Sequence, residues 1–123
     1  MRLCGIASSK LSSTAFKTMQ STLQAGKPIY VSSVSMVEIA YLTEKGRLPK
    51  ELFERIAQLL RQENQLFVEM PFNLGMAETL RKIPASIVPD MPDRMIAATA
   101  LHLNLPLITC DQKIRAAPLV TIW

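Results

Sequence analysis

The hydrophobic residues of this chain follow two spacings, one typical of amphipathic helices and the other of short buried strands. Leu11, Ala15, Phe16, Met19 and Leu23 form an approximate apolar stripe, mostly at spacings of three or four residues, and predict a helix over residues 12–25. Gly26 and Pro28 would end that helix. The next residues, Pro-Ile-Tyr-Val-Ser, combine β-branched and aromatic side chains and predict a buried strand.

The same alternation continues to the end of the chain. Further helices are predicted from a cap at Ser35 to Gly46, and over residues 49–61, 73–82 and 93–103; further strands are predicted over residues 66–68, 106–109 and 119–122. Strands that alternate with helices indicate an α/β fold with a central, mainly parallel sheet. No repeat, linker or low-complexity segment interrupts the pattern, so we expect one domain over residues 1–123.

The amino-acid composition limits the classes of function that this chain can have. Hydrophobic residues make up 49% of the chain, which predicts a packed core, and the net charge of +4 is compatible with a nucleic-acid partner. With a single histidine, His102, and two cysteines, neither a zinc site nor a histidine-based triad is indicated. No apolar run approaches the roughly 18 residues of a membrane span. The start, MRLCGIASS, is too short in apolar residues for a signal peptide, so we expect a cytoplasmic protein without a membrane partner.

Acidic residues stand close to the ends of the predicted strands. Glu38 lies in the helix after the strand 28–32, and Asp111 directly follows the strand 106–109. Asp93 begins the helix that leads into that later strand, with Asp90 three residues earlier. In an open parallel sheet, functional groups gather beyond the carboxyl ends of the strands. Converging carboxylates are the ligands that Mg²⁺ and Mn²⁺ prefer.

Each of these acids could also have a purely structural role. Asp93 could be a helix N-cap, Glu38 the acid of a capping box with Ser35, and Asp111 the cap of a short helix over residues 112–116. For each acid considered alone, the capping role is favoured over a metal-binding role because helix caps are common. The joint placement of the acids favours a metal site instead.

Three segments resemble the PIN-domain family, in particular its VapC-type toxins. The segment Val-Ser-Ser-Val-Ser-Met-Val-Glu-Ile-Ala over residues 31–40 is similar to a strand ending in Ser that leads into an acid-bearing helix. Asp-Met-Pro-Asp-Arg-Met-Ile-Ala-Ala-Thr-Ala over residues 90–100 resembles the family's D-P-x-D-R-x-x-A-A-x-A, with Met and Pro exchanged. Leu-Pro-Leu-Ile-Thr-Cys-Asp over residues 105–111 resembles the next strand and its T-x-D end. The resemblance extends from about Ala7 to Trp123.

The resemblance implies a three-layer α/β domain and a metal-dependent endoribonuclease. Glu38, Asp93 and Asp111 match the catalytic, metal-binding acids, with Asp90 as a supporting acid and Mg²⁺ or Mn²⁺ as the cofactor. Thr109 matches the hydroxyl residue that orients Asp111 or a water molecule. The implied partners are RNA as substrate, a VapB-like antitoxin and a second copy in a homodimer.

Arg94 lies beside these acids in the sequence. It is a candidate for contact with an RNA phosphate. The alternative is a solvated helix position or an ion pair with Asp90.

One part of the family pattern is missing. PIN domains open with a hydrophobic strand that ends in the first catalytic Asp, whereas the first 37 residues here contain no Asp or Glu. Three explanations stay open: a start assigned too late, a true truncation that has lost activity, or a substitute strand over Met1–Ile6. The missing acid should weaken metal binding and nuclease activity.

Two rival functions therefore remain. The first is a degenerate, non-catalytic PIN domain that binds an antitoxin or dimerises, for example through Leu52, Phe53 and Ile56. The second is another doubly wound metal enzyme, such as a phosphatase or a receiver-like domain. We rank it last because it too would need an acid after the first strand.

Overall fold

The computed structural model describes residues 12–63 and 66–123. The substitute strand expected over Met1–Ile6 lies outside these residues. Their elements, in chain order, are α1 (Ser13–Gln24), β1 (Ile29–Ser32), α2 (Ser33–Glu44), α3 (Leu52–Arg61), β2 (Phe67–Met70), α4 (Leu74–Leu80), α5 (Met91–Leu103), β3 (Leu107–Ile108), α6 (Gln112–Arg115) and β4 (Thr121–Ile122). The predicted α/β class is confirmed.

The strands pair in parallel, as the alternation of strands and helices predicts. Ile29 of β1 lies opposite Phe67 of β2, and Leu107 of β3 lies opposite Thr121 of β4. Within the described residues, the four strands form two separate two-stranded sheets, β1–β2 and β3–β4. The parallel arrangement was therefore predicted correctly.

Two helices begin earlier than the sequence suggested. Helix α2 begins at Ser33, and the hydroxyl of Ser32 accepts the N–H of Val34 at 3.1 Å. Ser35 therefore lies inside the helix, where it is buried, and the predicted capping box of Ser35 with Glu38 is wrong. Helix α5 begins at Met91 rather than at Asp93. In both cases the N-cap is a polar residue closer to the N-terminus, Ser32 for α2 and Asp90 for α5.

Helix α5 lies at the centre of the larger hydrophobic core. Five consecutive residues, Ile96 to Ala100, are buried, and all of them except Thr99 pack with Val34, Ile83, Val88 and Leu107. A helix buried on most of its circumference must be covered by several neighbours, and α5 packs against α2, α4 and α6. A smaller cluster centred on Ile39 and Leu48 holds α2 against α3. Helices α2 and α5 are therefore fixed relative to each other.

Hydrogen bonds from Arg94 connect the start of α5 to the end of α4. Its Nε and Nη2 donate to the carbonyl of Ile83 at 3.2 and 2.9 Å, and Nη2 also donates to the carbonyl of Leu80 at 3.2 Å. Carbonyls at a helix end lack partners within the helix, so a cationic donor stabilises them. The guanidinium thus has a structural role one residue away from Asp93.

Replacing Arg94 tests this role. We expect Arg94→Ala to lower the free energy of unfolding by about 2 kcal/mol, since hydrogen bonds from charged groups each contribute about 1.5–3 kcal/mol. Arg94→Lys should recover only part of the loss because an ammonium cannot reproduce the planar fork of donors. Urea unfolding followed by circular dichroism measures both effects. The exposed Arg55 on α3 provides the control, because Arg55→Ala should change stability by less than about 0.5 kcal/mol; equal losses for the two alanine variants would contradict the account.

Candidate metal centre

The first acid of the site is carried by α2, directly after β1. The Ser32 cap sets the start of α2, and the hydroxyl of Ser33 accepts the N–H of Phe72 at 3.2 Å, which ties this start to the segment after β2. Glu38 follows in the second turn of α2 and is half-buried. The position of Glu38 is therefore fixed by the carboxyl end of the β1–β2 sheet.

Two further acids belong to the first turn of α5. The carboxylate of Asp90 caps the helix by accepting the N–H of Asp93 at 3.2 Å. Asp93 is 6% exposed, whereas Asp90 is exposed. The N-terminal end of a helix carries partial positive charge, which favours carboxylates at both positions. The cap expected at Asp93 is thus made by Asp90, and Asp93 is turned into the site.

Glu38, Asp90 and Asp93 converge. One carboxylate oxygen of each lies within 4.8 Å of the others. Oε1 of Glu38 and Oδ1 of Asp93 are shielded from solvent. The three acids line a cavity of about 500 Å³ together with Asp111, Gln112 and Lys113. The residues that the sequence placed beyond different strands therefore meet in one space.

Asp111 reaches this cavity from the β3–β4 sheet. Thr109 is fully buried, and its hydroxyl accepts the N–H of Asp111 at 3.1 Å. Oδ1 of Asp111 accepts the N–H groups of Lys113 at 2.9 Å and Ile114 at 3.1 Å, so the predicted cap of α6 is confirmed. Asp111 lines the cavity but does not belong to the group within 4.8 Å.

The donor set fits a small divalent cation. Mg²⁺ and Mn²⁺ favour oxygen ligands, and Mg²⁺ is usually held by one or two carboxylates with several waters. Three carboxylates with oxygens within 4.8 Å offer such ligands, and the surrounding cavity leaves room for water. No histidine or cysteine belongs to the group found among the described residues. This composition points to a hard cation rather than to zinc.

The sequence motifs did not indicate two of the residues that line the cavity. Gln112 and Lys113 line the cavity from the first turn of α6. The predicted cap at Asp111 could have indicated them, because a helix capped by Asp111 places its first two residues beside that acid. Arg94, the predicted phosphate contact, is engaged with the carbonyls of Leu80 and Ile83 in this structure.

Comparison with known proteins agrees with the α/β fold. The family model for the PIN domain matches residues 7–119. The chain is also 30% identical over 97 residues to Ribonuclease VapC22 of Mycobacterium tuberculosis, a match that covers 76% of this chain and 72% of that protein. No significant match to a solved structure was found.

The chain therefore belongs to the PIN-domain family. Within that family it is of the VapC type, as the motifs predicted.

A divalent cation should stabilise the protein through these acids. Binding to the folded state alone raises stability by mass action, by about 2.7 kcal/mol when the free ligand is a hundredfold above its Kd. We expect millimolar Mn²⁺ to raise the melting temperature of the unmodified chain and to have much less effect on Asp93→Asn. Differential scanning calorimetry at constant ionic strength makes the comparison, with Glu44→Gln on the same helix as Glu38 as the control. An equal rise in all three proteins would mean that Mn²⁺ acts elsewhere.

Proposed function

We propose that this protein is a metal-dependent endoribonuclease that hydrolyses phosphodiester bonds of RNA with Mg²⁺ or Mn²⁺. The observation that carries the proposal is the convergence of Glu38, Asp90 and Asp93 in a cavity shared with Asp111. The relative's name, Ribonuclease VapC22, supports the choice of RNA as substrate. The proposal includes Asp90 among the ligands because one of its carboxylate oxygens lies near those of Glu38 and Asp93, whereas the sequence motif alone ranked it as a supporting acid.

In the proposed reaction, each acid has a distinct task. Glu38 and Asp93, whose Oε1 and Oδ1 are shielded from solvent, would be the inner ligands, and Asp90 would close the third side. Asp111 would hold and orient the attacking water, with its backbone fixed by Thr109. When bound, the divalent ion would activate that water and stabilise the leaving oxygen.

The charge around the cavity must also accept a polyanion. Four acids repel RNA unless cations offset them, and Lys113 is the cation among the described residues that line the cavity. Its side chain would meet a phosphate beside the bound ion. The chain's net charge of +4 would add a general attraction for RNA.

We further propose a VapB-like antitoxin and a second copy of the chain as protein partners, acting in the cytoplasm. The match to a VapC protein supports the antitoxin. Val37 and Tyr41, on one face of α2, are 67% and 55% exposed and offer apolar area for a protein contact. No helix in the described ranges combines the length and apolar character needed to cross a membrane.

A second candidate function is a non-catalytic PIN domain that keeps only its protein partners. It is favoured by one observation, the exposed apolar side chains of Val37 and Tyr41 on α2, which a protein partner could cover without any metal. Retained antitoxin binding without cleavage would identify this function.

RNA cleavage tests the proposal. The purified chain, incubated with a mixed RNA pool and Mn²⁺ or Mg²⁺, should produce discrete fragments that disappear with EDTA. Asp93→Asn should lower the rate by at least about a hundredfold, a loss typical of removing a group that stabilises transition-state charge. Glu44→Gln should cleave at the unmodified rate. Fragments that persist in EDTA or in Asp93→Asn would reject the mechanism, and a folded chain without any cleavage would favour the second candidate.

A further inference from the structure

The side of helix α2 that carries Glu38 leads from the core to the protein surface. A residue that follows another by three or four positions lies on the same side of a helix. By this spacing, one stripe of α2 contains Val34, Glu38, Tyr41 and Lys45. Exposure rises along the stripe, since Val34 is buried and Glu38 is half-buried, whereas the last two residues are exposed. The stripe therefore leaves the core at the acidic cavity and continues outside it.

Tyr41 and Lys45 form a pair at the exposed end of this stripe. The ammonium nitrogen of Lys45 lies 5.4 Å from the centroid of the Tyr41 ring, within the range over which an aromatic ring attracts a cation. Tyr41 is nevertheless 55% exposed, so part of its ring surface is accessible for a further contact. The pair thus presents an aromatic ring and a positive charge side by side.

The Tyr41–Lys45 pair lies close to the acidic cavity. At a rise of about 1.5 Å per residue, Tyr41 is about 4.5 Å and Lys45 about 10.5 Å from Glu38 along the helix axis. Glu38 contributes an oxygen to the group of converging carboxylates. Neither member of the pair lines the cavity itself. The pair is therefore placed to contact a molecule that extends out of the cavity.

An aromatic ring beside a cation is suited to bind a single-stranded nucleic acid. An unpaired base of any identity can stack on the ring, and a lysine neutralises a phosphate. The bases of a duplex are stacked on one another and are not available for such a contact. A protein contact accounts for the exposed apolar area of Val37 and Tyr41 but not for the charge of Lys45 at the ring. The pair therefore favours RNA over a protein.

We propose that Tyr41 and Lys45 bind one nucleotide of a single-stranded RNA, next to the bond that is cleaved. The base stacks on the Tyr41 ring, and Lys45 contacts the phosphate. The inference rests on the proposed function, which places the cleaved bond at the acidic cavity, and it names single-stranded RNA as the substrate class. A protein partner that covers this part of α2 displaces the RNA, because both use the Tyr41 ring.

Binding of a short RNA tests the pair without cleavage. The probe is a fluorescein-labelled oligoadenylate of about ten nucleotides, titrated in EDTA at low salt and followed by fluorescence anisotropy. We expect Tyr41→Ala to weaken binding about fivefold or more, a loss typical of removing one base stack. Tyr41→Phe should bind like the unmodified chain. Tyr41→Leu should bind as weakly as Tyr41→Ala, because an aliphatic side chain offers no ring for stacking.

Phe16 provides a matched control for the loss of an exposed aromatic side chain. It is 56% exposed, close to the value for Tyr41, but it belongs to α1. Phe16→Ala should leave the affinity for the oligoadenylate unchanged. Equal losses in Phe16→Ala and Tyr41→Ala would overturn the proposal. Unchanged binding by Tyr41→Ala would also overturn it and would leave Tyr41 to a protein partner.

The salt dependence of binding tests the role of Lys45. Each phosphate that a protein neutralises on a single strand contributes about 0.7 to the slope of log affinity against log salt concentration. Lys45→Gln should reduce the slope by about this amount. Lys17→Gln, which removes an exposed lysine of α1, should not. An unchanged slope in Lys45→Gln would contradict the phosphate contact.

Binding and cleavage together separate this inference from the proposed function. Tyr41-dependent binding by a chain that does not cleave RNA with Mn²⁺ would reject the nuclease and keep the RNA-binding pair. Cleavage by a chain whose RNA affinity is insensitive to Tyr41→Ala would keep the nuclease and overturn the pair. The pair would also be overturned if the chain bound no single strand at low salt, or bound an RNA duplex of the same length equally well.

Discussion

Like-charged carboxylates repel, and the fold of this protein must hold three of them together. Two unit charges separated by about the 4.8 Å that spans Glu38, Asp90 and Asp93 repel by roughly 3 kcal/mol at an effective dielectric constant of 20. The structure offsets this cost with rigid supports: the Ser32 cap of α2, the Asp90 cap of α5 and the packing of both helices on one core. The clamp from Arg94 to the end of α4 keeps the start of α5 in place. In the proposed function, a divalent cation bound between the acids would offset this repulsion.

The site draws on both sheets, and this distinguishes it from an incidental group of acids. Glu38 depends on the end of β1, Asp93 on the core helix α5, and Asp111 on the end of β3 through Thr109. Each of these acids is positioned by a local hydrogen bond at a helix cap or a turn. Their convergence depends on parallel strands that end at one edge.

Much of the fold and most of the site followed from the sequence, for reasons that particular residues make clear. The run around Ile96 to Ala100 is buried and helical, and Thr109 with Asp111 stands at a strand end, as the spacing predicted. The start of α2 was misplaced because serines at positions 32, 33 and 35 can all cap a helix, and only tertiary contacts choose among them. The sequence motif ranked Asp90 only as a supporting acid. Its closeness to Glu38 could not be predicted, because Asp90 stands at the start of α5 and Glu38 belongs to α2. The grouping of the acids depends on contacts between distant segments, which hydrophobic spacing does not encode.

The central claim is that Glu38, Asp90 and Asp93 bind a catalytic divalent ion. Anomalous diffraction from a crystal of the chain grown with Mn²⁺ tests it most directly, because it locates the ion without relying on activity. The account predicts a strong peak bonded to carboxylate oxygens of Glu38 and Asp93, next to Asp90 and facing Asp111. A structure with bound Mn²⁺ at other acids, or with none at saturating concentration, would contradict it.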